Sequence, residues 1–277
     1  MNKIFKIEKN LTHKIITFLG IKIKIRFKVA EQFATLDDLR VYTLASKINA
    51  NLAKYRGIFT GRDILIVGGG ASLKYFDKLP KNTINIGINR AYKMKNIKFD
   101  YLFAQDNFPD KEDIEEFIKY GEDTCVKMLG IHPYLANFSI KNDTICRIKN
   151  KELYVLNNRR PNKSLLPINI SIEPLARFDG TVFAVLQFCL FANAKKIYLA
   201  GFDCNVSHMF TSDVIAMDLT RQYEYWIQMK TYMDCIYNSC DIVSINPIGL
   251  KGLFKDVYTQ SYVNAHPELM KEEIEII

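Results

Sequence analysis

The residues best suited to chemistry begin in DILIVGGGASL (63–73), where an apolar run meets Gly68, Gly69 and Gly70 and then Ser72. Glycine lets a backbone approach a phosphate or ribose closely, and a helix starting at Ser72 would add free N–H groups and a positive dipole end. That combination points to a nucleotide. It departs from the dinucleotide fingerprint, because Leu73 stands where GxGxxG needs its third glycine and Asn89 where an acid would hold a ribose diol. No GK[ST] follows, so it is not a P-loop either.

Other polar groups sit where strands should end. Asn89-Arg90 follows INIGI (84–88), Gln105-Asp106-Asn107 follows DYLFA (100–104), and Gly201-Phe202-Asp203 follows KIYLA (196–200). Asp179-Gly180-Thr181 opens an apolar helix and offers a second helix start to an anion. Each motif alone is an ordinary cap or turn; together they line the carboxyl edge of a sheet, where open α/β folds bind ligands. Asp203 has two readings, a reactive carboxylate or a loop cap that accepts backbone N–H groups.

A proton acceptor of near-neutral pKa would be a histidine. His208, five residues past Asp203, is the first candidate. His132 in GIHPY, after a predicted strand, competes with it, as do the carboxylates Asp106 and Asp203. His13 and His266 read as surface residues. Arg159, Arg160 and Lys163 read as a solvated loop before they read as an anion site, and Tyr223 and Trp226 as helix core before a sugar platform. No DxD triplet occurs, and the six cysteines form no CxxC pair, so no metal is expected.

The elements that must position these groups alternate. Strands are predicted at 63–67, 84–88, 100–104, 125–129, 153–156, 196–200 and 241–245, and helices at 36–55, 72–78, 110–120, 180–193 and 218–237. The segment 157–173 fits neither period and reads as a long loop. This is an α/β pattern: a Rossmann-like, mostly parallel sheet with helices on both faces and a short lid at about 204–220. One domain over 31–277 follows a basic appendage at 1–30. In that appendage Ile21, Ile23, Ile25 and Phe27 alternate with Lys22, Lys24, Arg26 and Lys28, which predicts a β-hairpin within 3–28.

The net charge of +8 suggests nucleic acid until it is located. Residues 1–28 hold eight basic side chains against Glu8 alone, which leaves the remainder nearly neutral. Nucleic acid is therefore disfavoured; the 1–28 tract reads first as a docked edge hairpin with a solvated lysine face, and second as a contact with an anionic membrane surface. At 48% hydrophobic and 12% aromatic the chain is too apolar for disorder. No uninterrupted apolar run reaches the roughly 18–20 residues of a membrane span. With no small-residue cleavage site and scattered cysteines, a cytoplasmic location is expected, peripheral at the inner membrane.

VGGGASLKYFDKLP, INIGINRAY and DGTVFAVLQFCLFANAKKIYLAGFD, in that order, resemble the bacterial sialyltransferases of glycosyltransferase family 42 and related lipopolysaccharide and capsule enzymes. The likeness covers residues 63–106 and 177–205. It implies a Rossmann-like transferase that uses a CMP-activated acidic sugar, needs no metal or other cofactor, and acts on a bacterial surface glycan or glycolipid. By position it implies that Gly68, Gly70 and Ser72 contact the nucleotide, and that Asn89 and Asp106 lie beside ribose, base or sugar. Gly180 and Thr181 would meet a phosphate or sugar carboxylate. The family's base histidine lies in a longer lid after two tyrosines; here Tyr223 and Tyr225 come after the lid, so His208 is a candidate and not a transferred assignment. Two rivals stand beside this reading. One is a diphosphokinase-like enzyme binding Mg²⁺ through Asp106, Asp203 and Asp213. The other is a non-catalytic nucleotide-binding subunit. A homo-oligomer is compatible with each.

Overall fold

The computed structural model describes residues 5–9, 13–18, 21–26, 36–78, 80–106, 108, 110–133, 140–157, 166–178, 180–204, 206–207, 217–218, 222–236 and 240–277. The amino-terminal tract forms three antiparallel strands, β1 (Phe5–Lys9), β2 (His13–Phe18) and β3 (Ile21–Arg26), in that spatial order. The expected hairpin thus gains a middle strand. Its register sets Ile16 opposite both Ile7 and Ile23, and Phe18 opposite Phe5 and Ile21, so the apolar positions coincide across all three strands.

Helix α1 (Leu36–Ile48) follows, then β4 (Asp63–Val67), β5 (Thr83–Ile88), β6 (Tyr101–Ala104), α2 (Lys111–Lys119), β7 (Val126–Ile131), α3 (Asn142–Arg147) and β8 (Lys151–Val155). The chain continues through α4 (Thr181–Phe191), β9 (Lys196–Ala200), the short pair β10 (Val206–Ser207) and β11 (Met217–Asp218), α5 (Gln222–Ile236), β12 (Asp241–Ile245), β13 (Lys255–Val257) and α6 (Gln260–Ala265). Eight strands form one parallel sheet in the order β13-β12-β9-β4-β5-β6-β7-β8. The order reverses between β4 and β9, so the carboxyl ends of those two strands mark the topological switch point.

Alternation along the strands sends side chains to two apolar layers. Ile64, Ile66, Phe103 and Met128 meet α4 and α5, while Leu65, Val67, Leu102 and Leu129 meet α2 and the short turns after β4 and β5. Every residue of α4 is buried, as TVFAVLQFCLF, apolar on all sides, requires. Each large side chain there contributes about 1.5–3 kcal/mol of burial.

Three expectations shift. The helix expected at 36–55 stops at Ile48 and tightens into a 3₁₀ helix, Asn49–Tyr55. Asn49 accepts the Val155 N–H and donates to the carbonyls of Ile170 and Glu173, so it joins the outer edge of β8 to the 166–178 segment. The helix expected at 72–78 is a 3₁₀ turn, Ala71–Tyr75, whose second residue is bonded to Asp203. A last strand, β13, extends the sheet where no strand signal was read, since three residues show too little periodicity.

Candidate functional site

At the switch point the glycine turn is bound to the loop after β9. Gly68 N–H donates to the Ala200 carbonyl (2.8 Å) and Gly70 N–H to the Gly201 carbonyl (2.9 Å), continuing the β4–β9 ladder past both strands. A Cβ on Gly68 would stand 2.5 Å from the Gly201 carbonyl oxygen, and one on Gly70 2.6 Å from the Asp203 carboxylate. Loop-on-loop packing therefore accounts for both glycines. A ligand here would not meet those two N–H groups, which are already donated. Asp203 is 3% exposed and accepts the backbone N–H and the hydroxyl of Ser72. That is the loop-capping geometry of its two sequence readings.

Backbone conformation is unusual at the same edge. Asn89 after β5 (φ 51°), Cys204 after β9 (φ 47°) and Asn246 after β12 (φ 50°) are left-handed without being glycine. Asn246 is stabilised by paired bonds with Thr259. Asn89 is half-buried and leads into a turn whose Arg90 and Lys93 bind Asp113 on α2. Burial opposes ionisation of Asp113, but the hydrogen bonds from Lys93 and Arg90 win and hold its pKa below the ordinary value.

A second polar group lies beyond β6, β7 and β8, roughly 10–19 Å across the sheet from β4 at normal strand spacing. Gln105 and Asp106 follow β6, His132 follows β7, Tyr154 lies near the end of β8, and Arg177 and Thr181 flank the start of α4. Gly130 makes the room: a Cβ there would lie 2.6 Å from Gln105 Cβ and 3.1 Å from Tyr154 Oη. Gln105 Oε1, Tyr154 Oη and Thr181 Oγ1 are buried without a hydrogen-bond partner. Buried polar atoms left this way cost about 1–3 kcal/mol each, so three at one edge need an explanation such as water or a ligand.

The charges of this group are coupled. Burial, and after it the Arg177 charge, lower His132, 7% exposed, to a pKa of about 4, so the ring is neutral at neutral pH. Desolvation raises Asp106 above the usual carboxylate value against the pull of Arg177. Burial also raises Tyr154, with Asp106 adding to the effect. Among the described residues no carboxylate lies within ion-pair distance of Arg177. An unpaired guanidinium four residues before a helix start is suited to a carboxylate or phosphate.

The segment bearing Arg177 is held on both sides, by the backbone at the edge of β8 and by a side chain of α4. Leu175 bridges Leu156 in parallel, accepting the Asn157 N–H and donating to Val155. The buried Gln187 of α4 accepts the Ala176 N–H (2.8 Å) and donates to the Ala176 carbonyl (3.1 Å). Arg177 thereby emerges at the same edge as the sheet's other carboxyl ends.

The sequence candidates thus fall into two groups. Gly68, Gly70, Ser72 and Asp203 meet at the switch point, Asp106 and Thr181 belong to the group beyond β6–β8, Gly180 stands beside Gln222 of α5, and Asn89 follows β5. His208, Asp179, Asp213, Arg159, Arg160 and Lys163 lie outside the described residues. The ends of the expected lid are paired, Val206 with Asp218 and Ser207 with Met217. Tyr223 is exposed on α5, whereas Trp226 is fully buried core. Tyr154 and Arg177 were not singled out by sequence. Tyr154 sits in LYVL, indistinguishable from core, and the only signal for Arg177 was an isolated basic residue just before Asp179-Gly180-Thr181. Among the described residues no three His, Cys, Asp or Glu side chains converge to hold a metal ion, and no helix is long and apolar enough to cross a membrane.

No protein-family model and no curated protein sequence matches this chain. Among solved structures it is similar to a MAf glycosyltransferase from Magnetospirillum magneticum AMB-1, at 11% identity and a TM-score of 0.46, covering 80% of this chain and 38% of that one. It is also similar to Streptococcus suis SuiB bound to S-adenosylmethionine, at 9% identity and a TM-score of 0.22, covering 88% and 72%. This chain therefore spans under two fifths of the MAf glycosyltransferase. Likenesses this remote do not bear on the reaction, which has to be argued from the site.

Proposed function

We propose that this chain is a nucleotide-sugar-dependent glycosyltransferase. The observation that carries the reading is the edge beyond β6–β8, where buried and unpartnered Gln105, Tyr154 and Thr181 accompany an unpaired Arg177 at the start of α4. Such a surface suits a ligand with several hydroxyls and one anionic group. A nucleotide sugar has both, and it is long enough in kind to reach from the switch point toward β7.

The finer reading is a CMP-linked sialic acid or related acidic sugar moved to a bacterial surface glycan or glycolipid. Its support is the resemblance in the 63–106 and 177–205 blocks together with the cationic Arg177. Transfer needs a base for the acceptor hydroxyl and neutralisation of the leaving phosphate. Arg177 and the N–H groups at the start of α4 provide the latter without a metal. Asp203 acts by holding Ser72 and the glycine turn in place. The basic 1–28 tract would keep the enzyme at an anionic membrane on the cytoplasmic side.

A thermal-shift series with CMP, UDP, GDP and NAD tests the reading, because a ligand that binds only the folded state raises the transition temperature. A shift with CMP is expected. A response to UDP or GDP alone would replace the donor, and no response to any nucleotide would overturn the reading.

A further inference from the structure

We propose that Asp106, at the carboxyl end of β6, is the base that takes the proton of the acceptor hydroxyl, and that His132, after β7, is not. The inference rests on the glycosyltransferase reading and assigns its proton acceptor.

Position singles out Asp106 among the described carboxylates near the strand ends. Asp203 is buried and bonded to Ser72 through both oxygens. Asp113 is held by Arg90 and Lys93, and a carboxylate so stabilised is a weak base. Asp256 lies on the far edge strand β13 and accepts the Gly252 N–H. Asp106 is solvent-exposed, has no cation within ion-pair distance among the described residues, and follows the buried, unpartnered Gln105. It is therefore open to an incoming acceptor while its neighbours are closed in.

The charged and titratable described groups that act on this edge are Arg177, His132 and Tyr154. Arg177 disfavours a proton on His132, which would place two cations together. Desolvation raises the pKa of Asp106 and Arg177 opposes that rise, so the carboxylate is a stronger base than one in water.

The step balances. The acceptor O–H proton passes to a carboxylate oxygen of Asp106 as the acceptor oxygen bonds to the anomeric carbon. The bond from that carbon to the phosphate oxygen breaks, and its electron pair leaves with the nucleotide. No oxidant, reductant or metal enters this balance.

The experiment uses the full chain with CMP-sialic acid as probe and UDP- and GDP-sugars in parallel. It measures nucleotide release against pH together with the thermal shift given by the matching nucleotide. For Asp106→Asn we expect an unchanged shift and release at least about 100-fold slower. For Asp106→Ala we expect partial recovery in added formate, which a purely structural residue would not show. Release by Asp106→Asn within about threefold of wild type, with the shift intact, would overturn this assignment alone. Absence of any nucleotide shift in the wild type would overturn the glycosyltransferase reading and the assignment with it.

Discussion

Ser72 gives Asp203 both its backbone N–H and its hydroxyl, so one buried carboxylate fastens the turn after β4 to the loop after β9. The bond crosses the switch point. It also turns a glycine-rich motif that reads as a ligand cradle into a joint between two loops, with Gly70 left bare so that Asp203 fits against it.

Removing half of that joint should destabilise the fold. Ser72→Ala is expected to cost about 1–2 kcal/mol and Asp203→Ala about 2–3 kcal/mol in urea unfolding, because each strands a buried polar partner. Gly70→Ala should cost about 1–3 kcal/mol by overpacking against Asp203. Wild-type midpoints for all three would refute the joint.

Gln187 holds the backbone that presents Arg177. Gln187→Leu keeps the volume but leaves the N–H and carbonyl of Ala176 without their partner, for about 2–3 kcal/mol. A loss of nucleotide-induced thermal shift larger than the stability loss would show that the clamp serves the site. Equal effects on free and nucleotide-loaded protein would show that it serves only the fold.

His132 makes stability depend on pH with a definite sign. Its pKa is about 4 in the folded chain and ordinarily 6.5, so between those values the unfolded state binds more protons and stability falls as pH falls. Across that window the loss from this group is about 3 kcal/mol, with the full contribution present above pH 6.5. Urea midpoints from pH 7 to 4 measure it, and His132→Gln should flatten the slope.

Arg177 opposes the rise in the pKa of Asp106, so its removal should let that pKa climb further. If Asp106 is the base, the acid limb of nucleotide release moves to higher pH in Arg177→Ala. An acid limb that stays in place, or moves to lower pH, would contradict that coupling.

The basic tract gives a prediction of its own. Deleting residues 1–28 should weaken binding to phosphatidylserine vesicles, at about 1 kcal/mol for each basic residue near the surface in the intact chain. Unchanged binding would reduce the +8 to a solvated face.

Much of the fold was legible because it depends on runs that periodicity detects. The strand at 63–67 falls at the predicted position, and α4 lies within the predicted 180–193, since its apolar sequence tolerates no exposed side. Local patterns failed where a distant partner decides the outcome. The turn holding Ser72 is a short 3₁₀ one because Asp203, far along the chain, takes the Ser72 N–H, and Asn49 follows the end of α1 to serve the edge of β8. The site was half legible for the same reason. Asp106 and Thr181 stand at element ends and can be read as such, whereas Tyr154 acquires meaning only because Gly130 on the next strand leaves space for its hydroxyl.

Hydrogen–deuterium exchange with and without CMP-sialic acid tests most directly whether the donor occupies this edge. Protection is expected in peptides spanning 101–106, 126–133 and 175–186, with little change around the amino ends of the strands. Protection confined to other segments, or none at saturating donor, would contradict the site.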